Sequence, residues 1–297
     1  MRRSRKLGVA TALGIGCLAA VVAGSTFGLR AAAETSTADA VMREVEARLR
    51  SAPRFVQLDI KTKRPRVEGV VELLAGEPIR LWGAINGDPQ QTRILFVFTA
   101  PERMQGTGLL IVDPWSPQAP DTLWYHMRTF RRFLEIQQTS LKLLVPGTCL
   151  TYEDARGFLS SDKYSFRFLT APVPTAREWQ IEARPRSPEL ERDLGVSSLK
   201  VHVDRARFLV QRIDYIGLNG LPVKTYELEA PVRFGDRWLP GTARVNDLQS
   251  SIESVLHQQY WRVKERLPDT LFDVSVEDDS LFERMRSAGA KFGVRIE

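Results

Sequence analysis

Cysteine is scarce in this sequence of 297 residues, which holds only two. Cys17 lies in an apolar N-terminal run, so Cys149 is the only cysteine further along the chain. One cysteine cannot form an internal disulfide, and no neighbouring base in the sequence marks Cys149 as a catalytic thiol. We therefore expect Cys149 to be a small buried residue.

The sequence also lacks the spaced side chains that bind metals or activate nucleophiles. His126, His202 and His257 stand alone, without the H-x-x-x-H or C-x-x-C spacing of zinc sites. There is no G-x-S-x-G turn and no glycine-rich phosphate loop. Residues 277–279 are acidic but lack the spacing of a calcium loop. These absences predict a protein that is not an enzyme and has no metal and no cofactor.

The N-terminus has the order of a secretion signal. Four basic residues lie within the first six positions, an apolar run extends from Leu7 to about Leu29, and small residues follow up to Ala33. We predict that residues 1–33 are a signal peptide or membrane anchor and that residues 34–297 form the working domain. Because the run is longer than a typical signal core, an uncleaved anchor in the inner membrane stays open as an alternative.

Little net charge remains once this segment is set aside. The whole chain has 42 Lys and Arg against 36 Asp and Glu, a net charge of +6. Residues 1–33 hold five of the basic residues and no acidic one, which leaves +1 for residues 34–297. A nearly neutral domain argues against nucleic-acid binding. The predicted location is the periplasm.

Helical and strand periods divide the rest of the chain. Residues 36–50 predict an amphipathic helix, because Val41, Val45 and Leu49 recur every four positions. Short runs rich in β-branched and aromatic residues follow, separated by Gly, Pro, Asn and Asp, and predict antiparallel strands. The predicted strands are 55–60, 67–74, 79–85, 93–99, 108–113, 121–127, 164–169, 179–183, 198–204, 208–215, 223–230, 237–247 and 252–264.

Three further features add detail to this pattern. Residues 94–98 are apolar on both faces, which indicates a strand covered by the core on one side and by a helix on the other. Thr151 predicts the start of a short helix, with Glu153 and Asp154 as charges in its first turn. A terminal helix is predicted over 280–289, with Gly289 as its end. The fold class is mainly β (α+β), with about ten to twelve strands.

Large apolar and aromatic side chains lie on many of these strands. They indicate either an ordinary core or an internal cavity that would suit an acyl chain. Val41, Val45 and Leu49 of the leading helix are assigned to a lid, together with the helix near Tyr152. The residues assigned to the cavity wall are Trp82, Phe96, Phe98, Leu110, Trp124, Tyr152, Tyr164, Phe166, Phe168, Trp179 and Phe208.

Residues 121–136 and 147–169 carry a pattern that resembles the outer membrane lipoprotein-sorting (LolA/LolB-like) family. In that family a W-x-Y-x-P-x-x-x-R-R strand leads to a G-S-D-F-S-Y-E-D turn. The matching residues are Tyr125, Arg131, Arg132, Gly147, Thr151, Tyr152, Glu153, Asp154 and Tyr164. The order continues through Trp179 with Pro185, residues 208–215, Gly220, Lys224–Thr225 and Gly235–Trp238–Pro240, so that about residues 50–275 are covered. The chain departs from the pattern at Met127–Arg128, where the proline is absent, and at 148–150, which read Thr-Cys-Leu.

The resemblance implies an incomplete, strongly curved antiparallel β-barrel, with helices over its concave face and a hydrophobic cavity between. It implies a monomeric periplasmic carrier or chaperone that binds lipoprotein acyl chains or another envelope lipid for transfer toward the outer membrane. Contact with the membrane would be transient or through the N-terminal anchor. The alternative is an accessory subunit of an envelope transporter of the RND type, with no ligand of its own. An enzyme acting on envelope lipids or glycans has no recognisable catalytic set to support it.

Overall fold

The computed structural model of the protein describes residues 37–50, 53–64, 77–88, 90–116, 119, 121–136, 144–157, 159–173, 175–275 and 280–297. The predicted N-terminal segment 1–33, the predicted strand 67–74 and the acidic residues 277–279 lie outside these ranges. The α-helices are α1 (Ala38–Arg50), α2 (Tyr152–Arg156), α3 (Pro188–Leu194) and α4 (Leu281–Lys291). Two short 3-10 helices span Glu102–Met104 and Asp269–Phe272.

Fifteen β-strands are present in the described part of the chain. They are β1 (Arg54–Lys63), β2 (Ile79–Gly87), β3 (Gln91–Ala100), β4 (Gly108–Pro114), β5 (Thr122–Met127), β6 (Arg132–Glu135), β7 (Tyr164–Phe168), β8 (Glu178–Pro185), β9 (Val196–Asp204), β10 (Leu209–Gly217), β11 (Pro222–Glu229), β12 (Val232–Phe234), β13 (Arg237–Leu239), β14 (Thr242–Asp247) and β15 (Ile252–Arg262).

Thirteen of these strands form one large, curved antiparallel sheet that does not close. Its order is β6-β5-β4-β3-β2-β1-β15-β14-β11-β10-β9-β8-β7, so β6 and β7 are the two edges. The first and last long strands, β1 and β15, pair along their full length near the centre. The mainly β, incompletely closed architecture predicted from the sequence is thus confirmed.

The number of strands exceeds the predicted ten to twelve. β6 has four residues, and the separate hairpin β12–β13 has three in each strand, which is too short to show a period. The segment 237–247 was predicted as one strand and is two, because the chain breaks at Pro240 and Gly241. A Cβ at Gly241 would lie 2.4 Å from the carbonyl oxygen of Ala230, so this crossing requires glycine.

Alternation of side chains gives the sheet two apolar faces. On β3, Phe96 and Phe98 point to the inner, concave face, whereas Leu95 and Val97 point to the outer face. Because both sets are buried, the prediction that residues 94–98 are covered on both sides is confirmed. On β9, Leu199, Val201 and Val203 are all buried on the inner face.

Helix α1 covers the inner face, as predicted. Thr37 caps its start by accepting a hydrogen bond from the backbone N–H of Ala40, 3.2 Å away. Val41 and Val45 are buried in the inner core, and Leu49 packs against its edge. The helix has the apolar stripe of a surface helix and packs this stripe against the inner core.

Helix α4 lies on the other face of the sheet, so helices cover both faces in the described part of the chain. Its Leu281 and Met285 are fully buried against the outer side of the sheet. The outer core also contains Trp82 and Trp261, whose ring centroids are 4.7 Å apart. The outer side of β1–β4 is apolar, and α4 covers it.

Gly289 does not end α4, contrary to the sequence prediction. The helix continues to Lys291, and Gly293 takes the left-handed conformation after it, with φ of 71°. Gly289 is instead a close-packing position, since a Cβ there would meet Ile296 Cδ1 at 2.7 Å and the Val294 carbonyl oxygen at 2.9 Å. None of the helices in the described residues has the length and hydropathy needed to cross a membrane.

Candidate functional site

An apolar cavity lies between the inner face of the sheet and the segment that carries α2. Its volume is about 120 Å³. Aliphatic and aromatic side chains form most of its wall, and α1 contributes Leu49. The principal apolar lining residues are Val56, Leu58, Ile60, Leu81, Ile85, Phe96, Phe98, Leu109, Leu150, Tyr152, Val210, Tyr226, Leu228, Leu256 and Tyr260.

Four of the residues predicted for the wall or the lid do line this cavity, namely Leu49, Phe96, Phe98 and Tyr152. Val41 and Val45 of α1, which were assigned to a lid, are buried in the inner core and do not line the cavity. Trp179 and Phe208 pack on each other, with ring centroids 5.2 Å apart, in the inner core. Tyr164, Phe166 and Phe168 also belong to the inner core and not to the wall.

Trp82, Leu110 and Trp124 are placed on the outer face, which corrects their assignment to the cavity. Each follows or precedes an inner-face residue by one position, as Trp82 follows Leu81. A shift of one residue along a strand moves a side chain to the opposite face. The sequence offered no means of choosing between the two faces here, because both are apolar.

The cavity-wall residues of the two central strands were not predicted from the sequence. Val56 and Leu58 come from β1, and Leu256 and Tyr260 come from its partner β15. A signal was present, since residues 56, 58 and 60 alternate with polar positions.

Helix α2 is short and depends on polar contacts of its first turn. Thr151 and Asp154 form a reciprocal capping box, as the position of Thr151 predicted. Asp154 also accepts a hydrogen bond from the Tyr215 hydroxyl at 2.7 Å and pairs with the Lys224 ammonium at 2.6 Å. Burial opposes ionisation of Asp154, but Lys224, Tyr215 and Thr151 outweigh it and lower its pKa. This carboxylate therefore fastens α2 to β10 and β11.

A buried cluster of ion pairs joins α1 and α2 to the sheet. Asp113 at the end of β4 binds Arg156 of α2 through Oδ1 at 2.6 Å and Arg50 of α1 through Oδ2 at 3.0 Å. Arg156 also contacts Asp121 at 3.1 Å and Glu153 at 3.3 Å. The remaining members are Glu46, which pairs with Arg50, and Lys163, which pairs with Asp121.

The cluster holds four carboxylates and three cations, so it has one negative charge in excess when all are ionised. Burial raises the pKa of Asp113 to about 6, although Arg156 and Arg50 favour its charge and Asp121 opposes it. The pKa of Asp121 is lowered, because Arg156 and Lys163 together outweigh its own burial. Asp113 consequently takes up a proton before Asp121 as the pH falls.

Replacement of Asp113 by Asn tests this assignment through the pH dependence of stability. A group with a folded pKa near 6 and an unfolded pKa near 3.8 stabilises fully below the lower value, and that contribution is lost as pH rises to 6. We expect the stability of the wild-type protein, relative to Asp113→Asn, to fall by roughly 2 kcal/mol between pH 4 and pH 7. Urea unfolding of both proteins across this range measures the difference. A difference that does not change with pH would contradict the assignment.

The other titratable groups considered in the sequence form no reactive centre in the described residues. Cys149 is buried, as predicted, and burial raises the pKa of its thiol. His126 is also buried, with Nδ1 2.9 Å from the carbonyl oxygen of Gly106. Within the described ranges, no group of three His, Cys, Asp or Glu side chains is placed to hold a metal ion.

Comparison with known proteins places this arrangement in a structural family. A family model with the description "Uncharacterized protein" matches residues 90–276. No curated protein matches the chain. Three solved structures are similar to it over about four fifths of its length.

The first of these structures is a domain from Vibrio parahaemolyticus assigned by name to outer membrane lipoprotein sorting. It has a TM-score of 0.66 and 17% identity, with 81% of this chain and 97% of that chain covered. A DUF1329 family protein from Desulfovibrio piger has the same TM-score and identity, with 80% and 96% covered. A LolA superfamily protein from Nitrosomonas europaea has a TM-score of 0.57 and 16% identity, with 80% and 97% covered. The chain therefore belongs to the family of uncharacterized proteins whose model matches residues 90–276, and its fold is that of the LolA superfamily and the lipoprotein-sorting domains.

Proposed function

We propose that this protein is a periplasmic carrier that holds an acyl chain of a lipidic ligand between its sheet and its lid helices, for transfer toward the outer membrane. The observation that carries the proposal is the apolar cavity of about 120 Å³ enclosed by the inner face and the α2 segment. A wall of aliphatic and aromatic side chains with few polar groups suits a hydrocarbon. The shared fold with proteins named for lipoprotein sorting supports the same function.

The size of the cavity implies that the lid moves when a ligand binds. Ligand pockets usually measure roughly 300–1,000 Å³, whereas a cavity of roughly 150 Å³ accepts only one benzene ring. A cavity of about 120 Å³ must therefore widen to hold an acyl chain. Movement of α1 and of the segment around α2, which both contribute to its wall, would widen it.

The energy of binding is sufficient to drive such an opening. An acyl chain that loses about 300 Å² of apolar surface to the cavity gains about 7 kcal/mol at 25 cal/mol per Å². This gain must offset separation of the lid from the sheet, including any breakage in the cluster around Asp113. A carrier needs this balance, because a ligand held too firmly could not be released.

Export to the periplasm is part of the proposal and is supported by the N-terminal sequence. The order of basic, apolar and small residues before Glu34 is that of a secretion signal. In that compartment the protein would meet envelope lipids as they cross between membranes. The proposal assigns no catalytic residue to the chain.

Native mass spectrometry of the protein purified from its own envelope tests the proposal. We expect a fraction of the protein to carry one added mass in the range of a lipid, which organic extraction removes and identifies. The stripped protein should bind that lipid again at one molecule per chain. Protein that carries no lipid, and that binds none of the lipids extracted from the same envelope, would exclude a carrier function.

An accessory subunit of an RND-type envelope transporter is the second candidate. Leu218 and Leu221 of the β10–β11 turn and Leu248 of the β14–β15 turn are exposed, and the Leu248 N–H donates to the Val223 carbonyl oxygen at 3.0 Å. Exposed apolar groups at adjacent turns can form a docking surface. Copurification of a membrane transporter with a lipid-free protein would favour this function over the carrier.

A further inference from the structure

Arginines surround one end of the cavity. The wall at this end includes Leu49, Leu209, Leu239 and Tyr260. Arg48, Arg207, Arg237 and Arg262 lie within two chain positions of these four residues, and Arg54 lines the cavity itself. We call these five arginines, together with Arg233 of the β12–β13 hairpin, the arginine collar.

Direct contacts show that the collar is continuous. Arg54 and Arg262 are opposite each other in the β1–β15 ladder. Arg237 donates to the carbonyl oxygen of Arg48 at 2.6 Å, and Arg48 donates to that of Arg207 at 3.2 Å. The β12–β13 turn rests on Arg262, since a Cβ at Gly235 would lie 2.9 Å from Arg262 Nη1. Like charges placed across a ladder destabilise a sheet, so this arrangement calls for another cause.

Part of the collar also serves the fold. Arg54 donates to the Leu49 carbonyl oxygen at 3.0 Å, and Arg237 binds that of Arg48, so both satisfy the C-terminal end of α1. Burial lowers the pKa of Arg54 to about 10, and the charge of Arg237 acts in the same direction. These two residues therefore have a structural function that does not require a ligand.

Two collar arginines carry charge that no carboxylate of the described residues pairs with. Arg48, Arg207 and Arg237 pair with Glu44, Asp204 and Asp236 respectively. Arg233 and Arg262 are exposed and form no ion pair within the described part of the chain. They lie in a domain whose predicted net charge is only +1.

Aromatic rings hold two collar arginines in a geometry suited to oxyanions. The guanidinium carbon of Arg48 lies 4.4 Å from the centroid of Phe208, and that of Arg207 lies 5.0 Å from the ring of Trp238. A guanidinium that lies over an aromatic ring directs its N–H edges toward oxygens. Arg48 and Arg207 already direct theirs at Glu44 and Asp204, which leaves the exposed Arg233 and Arg262 for a headgroup.

We infer that the ligand of this protein is an anionic amphiphile, whose acyl chain enters the cavity while its phosphate headgroup is bound at the arginine collar. This inference rests on the proposed carrier function and adds the class of headgroup. The cavity supplies a hydrocarbon site, and the collar supplies the complementary charge within two residues of its wall. Neither the cavity nor the collar alone selects one lipid. Together they favour binding of an acidic lipid over a neutral lipid with the same acyl chain.

The inference is tested with two lipids that share one acyl chain, lysophosphatidic acid and lysophosphatidylcholine, below their micelle concentrations. The wild-type protein should bind the anionic lipid about tenfold more tightly, as expected for one or two charge-assisted hydrogen bonds. Arg233→Gln combined with Arg262→Gln should abolish this preference and leave binding of lysophosphatidylcholine unchanged. The preference of the wild-type protein should also weaken as salt is raised.

The matched control removes two exposed arginines from a different part of the molecule, the β5–β6 hairpin at one edge of the large sheet. Arg128→Gln with Arg132→Gln makes the same change in net charge at the β5–β6 hairpin and should retain the preference. Thermal unfolding should show that both double variants are folded.

The outcomes separate the two proposals. Failure of both lipids to bind the wild-type protein would overturn the carrier function itself. Equal affinity for the two lipids, or an equal loss of preference in both double variants, would overturn the anionic headgroup alone. Inorganic phosphate that displaces the anionic lipid at equal concentration would show a site for the free anion, and the amphiphile would again be excluded.

Discussion

Replacement of Arg156 by Met should lower the free energy of unfolding by about 3–5 kcal/mol, the loss typical of breaking a buried ion pair. Only 2% of its side chain is exposed, and it contacts Asp113, Asp121 and Glu153. Without the guanidinium, these carboxylates keep their desolvation but lose their largest common source of positive charge. Methionine fills a similar space, so the effect is one of charge more than of packing.

Urea unfolding at pH 7 measures this loss. Arg167→Met is the control, because Arg167 pairs with Glu182 but 64% of its side chain is exposed. Exposed ion pairs contribute about 0–1 kcal/mol, so the control should lose no more than that. Similar losses in the two variants would show that burial of the Asp113 cluster has no special weight.

Asp113 links α1 and α2 to each other as well as to the sheet. Its two carboxylate oxygens bind different lid elements, Arg156 of α2 and Arg50 of α1. Opening of either element therefore weakens the site that holds the other. The two layers over the cavity are coupled through one group of the sheet, so that we expect them to move together.

Much of the fold could be predicted because its strands alternate or carry dense β-branched runs. Residues 199–203 show the clean period of two, and residues 94–98 show the apolar run of a strand covered on both faces. Such a doubly covered strand also hides which face is inner. That is why Trp82 was assigned to the cavity although its neighbour Leu81 lines it.

The polar part of the site could not be predicted, because its members are distant in sequence. Arg50 and Asp113 are brought together only by the packing of α1 against the sheet that contains β4. Asp154 was recognised as a charge in the first turn of α2, but its pairing with Lys224, seventy residues away, has no local signature. Sequence spacing predicts the capping box of α2, but only the fold of the sheet brings Lys224 to Asp154.

Filling the cavity should remove lipid binding without unfolding the protein. Val210 is buried in the cavity wall, and Val210→Phe would direct a phenyl ring into the space of about 120 Å³. Since roughly 150 Å³ accommodates one benzene ring, little room would remain for a hydrocarbon chain. We expect at least a tenfold fall in bound lipid per protein, with a loss of stability of about 1–3 kcal/mol from overpacking.

Two further variants distinguish blocking of the cavity from general damage. Val173→Phe makes the same chemical change at a residue that is 56% exposed and should leave bound lipid unchanged. Leu256→Phe adds bulk from β15, on a different part of the wall, and should reduce lipid as Val210→Phe does. If both cavity variants stay folded and still carry lipid at the wild-type level, the hydrocarbon is bound elsewhere, since a chain cannot share the space with a phenyl ring. Loss of lipid in both, with retention in Val173→Phe, would locate the acyl chain against β10 and β15, beside the arginines that we assign to its headgroup.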